Sequence, residues 1–339
     1  MPNKLLFVAV LMLYSTSLLQ ALQSTLVRYL PCWGMGADCH VSLLSISENA
    51  TFMVTNANDW HCILRLYRPD YHNDTEILSE LEWMLALEKN SIIRIPHIYP
   101  TVYGELLTIC EIASIRWRIV CFEYLSGSTP SLNAASLEWF EKLGILTAQL
   151  HIQSYTWQKP LGFYRKHWTY ETMASPQAYF GDWRQVRNLH STAYRLLERC
   201  DYLLKKRLYR LSRQRENYIL LHADLRTANL LIDSEYLAVI DFDDCGFSWK
   251  ALDFANAVSF MEDHPLMPEL QQAWLSGYAT VTYPSKELIS SIELFVMMRR
   301  MQLMGWIVTH AETPTAQKLG ESHTLGTINL AENFLTKPF

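Results

Sequence analysis

The sequence predicts an α+β protein with a small antiparallel-sheet half first and a larger helical half after it. Three observations carry this expectation. Val41–Ile46, Thr51–Thr55 and Cys62–Tyr67 are short β-rich runs split by polar turns, and they read as a meander. From Ser136 onward, apolar residues recur mostly at helical spacing. Within that second half, residues 218–244 read YILLHADLRTANLLIDSEYLAVIDFDD, in which apolar strands alternate with loops rich in Asp and Asn.

Composition bounds the rest. The chain has 339 residues, 50% hydrophobic and 19% charged, enough for one domain of two lobes or for two small domains. The expected division is an N-terminal extension and helix over 1–30, a sheet lobe over 31–125 and a helical lobe over 126–339. The net charge of -5 and the lack of a Lys/Arg block argue against a nucleic-acid partner. Seven Cys without a C-x-x-C pair argue against a disulfide framework or a zinc site.

The N-terminus allows two readings. Lys4 followed by apolar Leu5–Leu13 has the length of a signal-peptide core and is too short to span a bilayer. Alternatively a helix capped by Ser17 continues the fold, with Leu18, Leu22, Leu26 and Tyr29 on one face; a biological start at Met12 is a further option, which would leave residues 1–11 as an extension. No membrane partner is expected. A cytoplasmic location is expected, with export as the minor alternative.

Cys32–His40 reads as a loop, and the turn Ser47–Thr51 inside the meander lacks glycine. Arg65 sits on the third strand between Leu64 and Leu66, and Arg68 is placed at the surface where that strand ends. Asp74–Asn90 reads as a helix capped by Asp74 or Thr75, with Ile77, Leu81, Met84 and Leu85 as its apolar face and Glu80 on the edge of that face. Leu106–Ile112 and Arg116–Phe122 read as two more strands, the second running into Glu123-Tyr124-Leu125-Ser126-Gly127.

In the second half, Leu137–His151, Arg184–Leu211, Leu252–Phe260, Glu269–Tyr278, Glu287–His310 and Thr327–Leu335 read as helices. The Trp- and Tyr-rich stretch 155–181 reads as irregular, and Gly246–Trp249 reads as a turn. Trp274, Met297, Met298 and Trp306 are expected in the core.

The chemistry concentrates in 218–244. Leu230–Ile232 and Leu237–Ile240 form a hairpin that would bring Asp224, Asn229 and Asp241 together. Their oxygens suit a hard cation such as Mg²⁺, shared with substrate phosphates. The Asp224 carboxylate can accept the proton of an attacking hydroxyl. Metal and positioned base are the parts that phosphoryl transfer needs.

The order H-x-D-x-x-x-x-N, apolar strand, D-F-D resembles the protein-kinase-like superfamily in its small-molecule branch, which includes the aminoglycoside phosphotransferase and choline kinase families. The segments L-R-L-Y-R-P, I-x-x-E-L-x-W and I-D-F-D-D-C-G-F resemble, more narrowly, homoserine kinase type II and a bacterial stress-response Ser/Thr kinase. The resemblance implies a two-lobed protein-kinase-like fold and an ATP- and Mg-dependent transfer of the γ-phosphate to a hydroxyl of a small metabolite such as homoserine, choline or an aminoglycoside. It implies roles for individual residues as well. Asp224 is the catalytic base and Arg226 steadies the transferring phosphate. Asn229 and Asp241 hold Mg²⁺, Arg65 holds nucleotide phosphates and pairs with Glu80 (Glu82 and Glu76 being the alternatives), and Glu123 to Leu125 form the hinge where adenine bonds to the backbone. The family places Lys where this chain has Arg65. Asp253 supports the catalytic loop, His222 anchors it, Asp243 is a second metal or loop contact, and His151 belongs to the core. A Ser/Thr protein kinase and a nucleotide-binding pseudokinase remain as alternatives.

Overall fold

The computed structural model describes residues 14–90, 92–112, 114–130, 136–233, 236–311 and 313–337. The Leu5–Leu13 run lies outside them. The fold is two-lobed α+β. One unit comprises the chain through Gly127 with two later segments, Lys159–Arg165 and Ala238–Asp243; the other comprises the remainder.

The first unit is built on a six-stranded antiparallel sheet. Helix α1 (Thr16–Tyr29) precedes it, and Ser15, not Ser17, caps this helix by accepting the Leu18 amide at 3.2 Å. Strands β1 (His40–Ile46), β2 (Ala50–Thr55) and β3 (His61–Tyr67) form the meander. Helix α2 (Asp74–Lys89) follows, then β4 (Ile98–Tyr99), β5 (Thr108–Ile112) and β6 (Ile115–Glu123). The strand order is β1-β2-β3-β6-β4, with β5 also paired to β6. Period-two alternation sorts the side chains of β3. Cys62, Leu64 and Leu66 join Phe52, Trp117 and Leu22 and Leu26 of α1 in one core. Arg65 therefore points to the other face. The cap of α2 is Asn73, which forms a reciprocal capping box with Glu76, so neither Asp74 nor Thr75 serves.

The second unit opens with α3 (Ser136–Thr156), the single turn α4 (Tyr170–Met173) and α5 (Ser191–Leu208). The single helix expected over 184–211 is instead a 3₁₀ turn, Trp183–Gln185, and α5. Asn188 at φ 62° lies between them, in the left-handed region that no helix continues through. Strand β7 (Tyr218–Leu221) is followed by β8 (Leu230–Asp233) and β9 (Tyr236–Val239). Gly246–Trp249 is not a turn. It is strand β10, antiparallel to β7, and it satisfies the backbone of the buried Ile219–Leu221 run. Helices α6 (Ala251–Ala257), α7 (Met267–Val281), α8 (Lys286–Thr309) and α9 (Pro314–Thr336) complete the unit. Helix α6 stops short of the expected Phe260, which lies at φ 69°. Helix α9 starts well before the expected Thr327 and is kinked at Gly320. Trp274, Met297 and Met298 are buried, whereas Trp306 is only half-buried. No helix among the described residues is long and apolar enough to cross a membrane.

Candidate active site

In the first unit, β3 and α2 assemble a buried charge cluster. Arg65 Nη1 donates to Glu80 Oε1 at 3.0 Å, and its Nη2 lies 3.1 Å from Asp241 Oδ1. The Tyr67 hydroxyl donates to the second Glu80 oxygen at 3.0 Å. Burial raises the Glu80 pKa against the opposing pull of Arg65. A buried acid in this position needs both donors, because an unpaired buried charge costs several kcal/mol.

Asp241 belongs to the short segment Ala238–Asp243, which Phe242 anchors by an edge-on contact with Trp83. The Asp241 backbone is at φ 66°, a strained conformation for a non-glycine residue, and its side chain is 34% exposed. Asp243 is buried. Its carboxylate lies 3.3 Å from His72 Nε2, and its backbone oxygen accepts from the fully buried Arg165. Burial opposes ionisation of Asp243, yet His72, Arg65 and Arg165 hold its pKa well below the usual carboxylate range. Asp243 is thus a loop anchor within this cluster.

Arg68 is not a surface residue. It pairs with Glu48 at 2.8 Å, and its amide donates to Asn49 Oδ1 at 3.0 Å. Those contacts tie down the glycine-free turn through side chains. Glu123 is held by both terminal nitrogens of Arg94 and by the His97 amide, and Leu125 follows β6 half-buried.

In the second unit, the loop after β7 presents Asp224. His222 is fully buried, and its Nδ1 accepts the Asp224 amide at 3.3 Å. Ala223 is at φ 63°, and its amide donates to Asp253 Oδ1 at 2.9 Å. The other Asp253 oxygen meets His151 Nε2 at 3.2 Å, and His151 Nδ1 meets the Tyr278 hydroxyl at 3.0 Å. A buried chain of polar groups therefore holds a strained loop from below.

The Asp224 carboxylate is surrounded by donors. Arg226 Nε and Asn229 Nδ2 donate to Oδ2 at 3.0 and 2.7 Å, and Arg299 Nη2 of α8 donates to Oδ1 at 2.8 Å. Asn229 also closes the loop on the Asp224 backbone oxygen at 2.9 Å. Burial works to raise the Asp224 pKa, but Arg226 and Arg299 outweigh it and hold the pKa below its ordinary value.

The predicted residues thus fall into two groups. Arg65, Glu80 and Asp241 come together in one unit, and Asp224, Arg226 and Asn229 in the other. Glu123 and Leu125 join neither. Tyr67, Arg165 and Arg299 escaped the sequence reading. One signal was present: the pair Arg299-Arg300 directly follows the apolar run Leu294–Met298 in a helix whose flanking residues Met301, Leu303 and Met304 are apolar, and buried charges inside such a helix require partners.

Among the described residues, no group of three or more His, Cys, Asp or Glu side chains is placed to hold a metal ion. The oxygen donors Asp241 and Asn229 suit Mg²⁺ in kind.

A sheet lobe and a helical lobe carrying an H-x-D-x-x-x-x-N loop and a D-F-D segment define the class of kinase-like phosphotransferases. Residues 41–287 match the phosphotransferase enzyme family (APH), and the chain belongs to it. It is a phosphotransferase. The structure of a microcompartment-associated aminopropanol kinase is 34% identical, with a TM-score of 0.84 over 92% of this chain and 97% of that one. The amicoumacin kinase of Bacillus subtilis (strain 168) is 22% identical over 84% of this chain and 83% of its own length. The structure of amicoumacin kinase hAmiN in complex with AMP-PNP, Ca²⁺ and Ami is 18% identical and shares the fold, with a TM-score of 0.73 over 91% of this chain and 93% of that one.

Proposed function

We propose that the protein transfers the γ-phosphate of ATP, with Mg²⁺, to the hydroxyl of a small amino alcohol. The observation that carries this reading is the 34% identity, spread over nearly the whole of both chains, to the aminopropanol kinase. Family membership supplies the reaction class, and this likeness favours an amino alcohol over homoserine, choline or an aminoglycoside as acceptor.

The residues divide the work. Arg65 and Asp241 serve the nucleotide side. Asp241 and the amide oxygen of Asn229 are the groups for the ion, since the amide nitrogen of Asn229 is committed to Asp224. Mg²⁺ supplies neutralisation of the phosphate charge. Asp224 orients the acceptor hydroxyl. The acceptor oxygen bonds to the γ-phosphorus, the bond from that phosphorus to the ADP oxygen breaks, and the hydroxyl proton passes to Asp224 and then to solvent. Asp224 orients the hydroxyl and takes its proton late, which suits a loose transition state that asks little of the base.

The test is direct. The purified protein is incubated with ATP, Mg²⁺ and, separately, aminopropanol, ethanolamine, choline, homoserine or kanamycin, and O-phosphorylated product is read by phosphorus NMR. The expected result is product with aminopropanol at the highest kcat/KM. Turnover of kanamycin or homoserine in preference to every amino alcohol overturns the acceptor assignment.

A further inference from the structure

We propose that Arg299 is a positioning residue for phosphoryl transfer, acting through Asp224. The inference rests on the assignment of Asp224 as the residue that orients the acceptor.

Arg299 lies on α8, beyond residues 41–287 that match the family, so nothing in the family match assigns it a part. Its side chain is 6% exposed, and every nitrogen of the guanidinium has a partner. Nε donates to Ser259 Oγ at 3.1 Å, Nη1 to Gln302 Oε1 at 2.9 Å and Nη2 to Asp224 Oδ1 at 2.8 Å. Two neutral acceptors thus fix the plane of the guanidinium, and only the third contact is an ion pair. A side chain required only to neutralise Asp224 would not need that fixation.

The two arginines on Asp224 differ in kind. Arg226 is 34% exposed and belongs to the same loop as the carboxylate, two residues away. It can swing toward a transferring phosphate. Arg299 is buried, comes from a distant helix and holds the opposite oxygen. When Oδ2 exchanges Arg226 for the acceptor hydroxyl, Arg299 keeps the carboxylate plane fixed through Oδ1. Orientation of this sort governs rate steeply, since a displacement of about 1 Å can cost roughly a hundredfold. Lys cannot reproduce it, because a single ammonium lacks the planar fork that meets three acceptors.

A double-mutant cycle tests the proposal, with Arg299→Lys and Asp224→Asn made singly and together and kcat and both KM values measured. Arg299→Lys is expected to lower kcat about ten- to a hundredfold while both KM values move by less than about threefold. In the Asp224→Asn background the same substitution is expected to change kcat by less than about threefold, because the two residues act as a unit. Should Arg299→Lys not fold, Ser259→Ala takes its place in the cycle. It removes only the acceptor of Nε, and the same pattern is expected at smaller amplitude. An Asp224→Asn enzyme with undiminished kcat removes the Asp224 assignment and the inference with it. An Asp224→Asn enzyme that has lost turnover, in which the second substitution costs the same factor as in the wild type, overturns the inference alone.

Discussion

Arg65 Nη2 lies 3.1 Å from Asp241 Oδ1, while its other terminal nitrogen holds the buried Glu80 at 3.0 Å. One guanidinium thus orients the segment that carries the proposed metal ligand and neutralises the acid of α2. An ammonium has a single nitrogen and cannot span both carboxylates in this geometry. Arg65→Lys is expected to keep the fold and raise the nucleotide KM about tenfold, with the acceptor KM unchanged. Arg65→Met leaves Glu80 buried without its cation and is expected to lose about 3–5 kcal/mol of stability. Nucleotide titration and urea unfolding of the two variants check this; equal stability of Arg65→Met and the wild type would contradict it.

Asp224 and Asp241 are expected to fail differently. Asp224→Asn should lower kcat by about 10²–10⁴-fold, the usual worth of a positioned base, and retain thermal stabilisation by ATP with Mg²⁺. Asp241→Ala should lose the Mg²⁺-dependent part of that stabilisation. Thermal unfolding with ATP, with and without Mg²⁺, separates the two, and identical ligand shifts in both variants would show that the division of roles is wrong.

Much of this arrangement was legible before the fold. The meander followed from strand alternation and the loop around Asp224 from a short motif whose parts lie close in sequence, whereas the pairing of Arg65 with Glu80 was an expectation that the family resemblance implied and the structure bears out at 3.0 Å. What escaped depended on contacts distant along the chain. Gly246–Trp249 carries turn-forming residues, and only its pairing with the buried β7 makes it a strand. Arg68 follows β3 and precedes Pro69, so it read as exposed until the turn at Glu48 supplied a partner. Arg299 reaches Asp224 from a late helix, and no spacing rule links positions so far apart.

Helices α3 and α7 approach each other through two glycines. A Cβ placed on Gly144 would overlap the Trp274 carbonyl oxygen, and one on Gly277 would overlap that of Glu141. These obstacles are backbone, so they cannot move aside as a side chain would. Helix propensity alone favours Ala over Gly by about 1 kcal/mol. Overpacking typically costs about 1–3 kcal/mol, and a clash with helix backbone at both positions places the cost at or above the upper end. Gly144→Ala and Gly277→Ala are each expected to destabilise the protein in urea unfolding. A gain in stability from either would mean that the helices can part without loss.

The buried His323 gives stability a dependence on acid. The residue is 3% exposed, its Nε2 has no hydrogen-bond partner among the described residues, and the Arg300 guanidinium is close, with Nη2 donating to the His323 carbonyl. Burial first, and then the charge of Arg300, push its pKa down from 6.5 to about 3. The unfolded chain binds a proton near pH 6.5 that the folded chain refuses until about pH 3. The contribution is therefore fully present above pH 6.5 and is lost as the pH falls toward 3. One proton corresponds to about 1.4 kcal/mol per pH unit, so acidification from pH 6.5 to 5 removes about 2 kcal/mol through this residue. His151 is also pushed down, by burial foremost, and contributes in the same sense. His323→Gln removes one of these protons and leaves the other. Unfolding free energy measured at pH 7.5 and pH 5 should fall less in His323→Gln than in the wild type, by about 2 kcal/mol. Equal losses in the two proteins would mean that the folded state accommodates a charged His323.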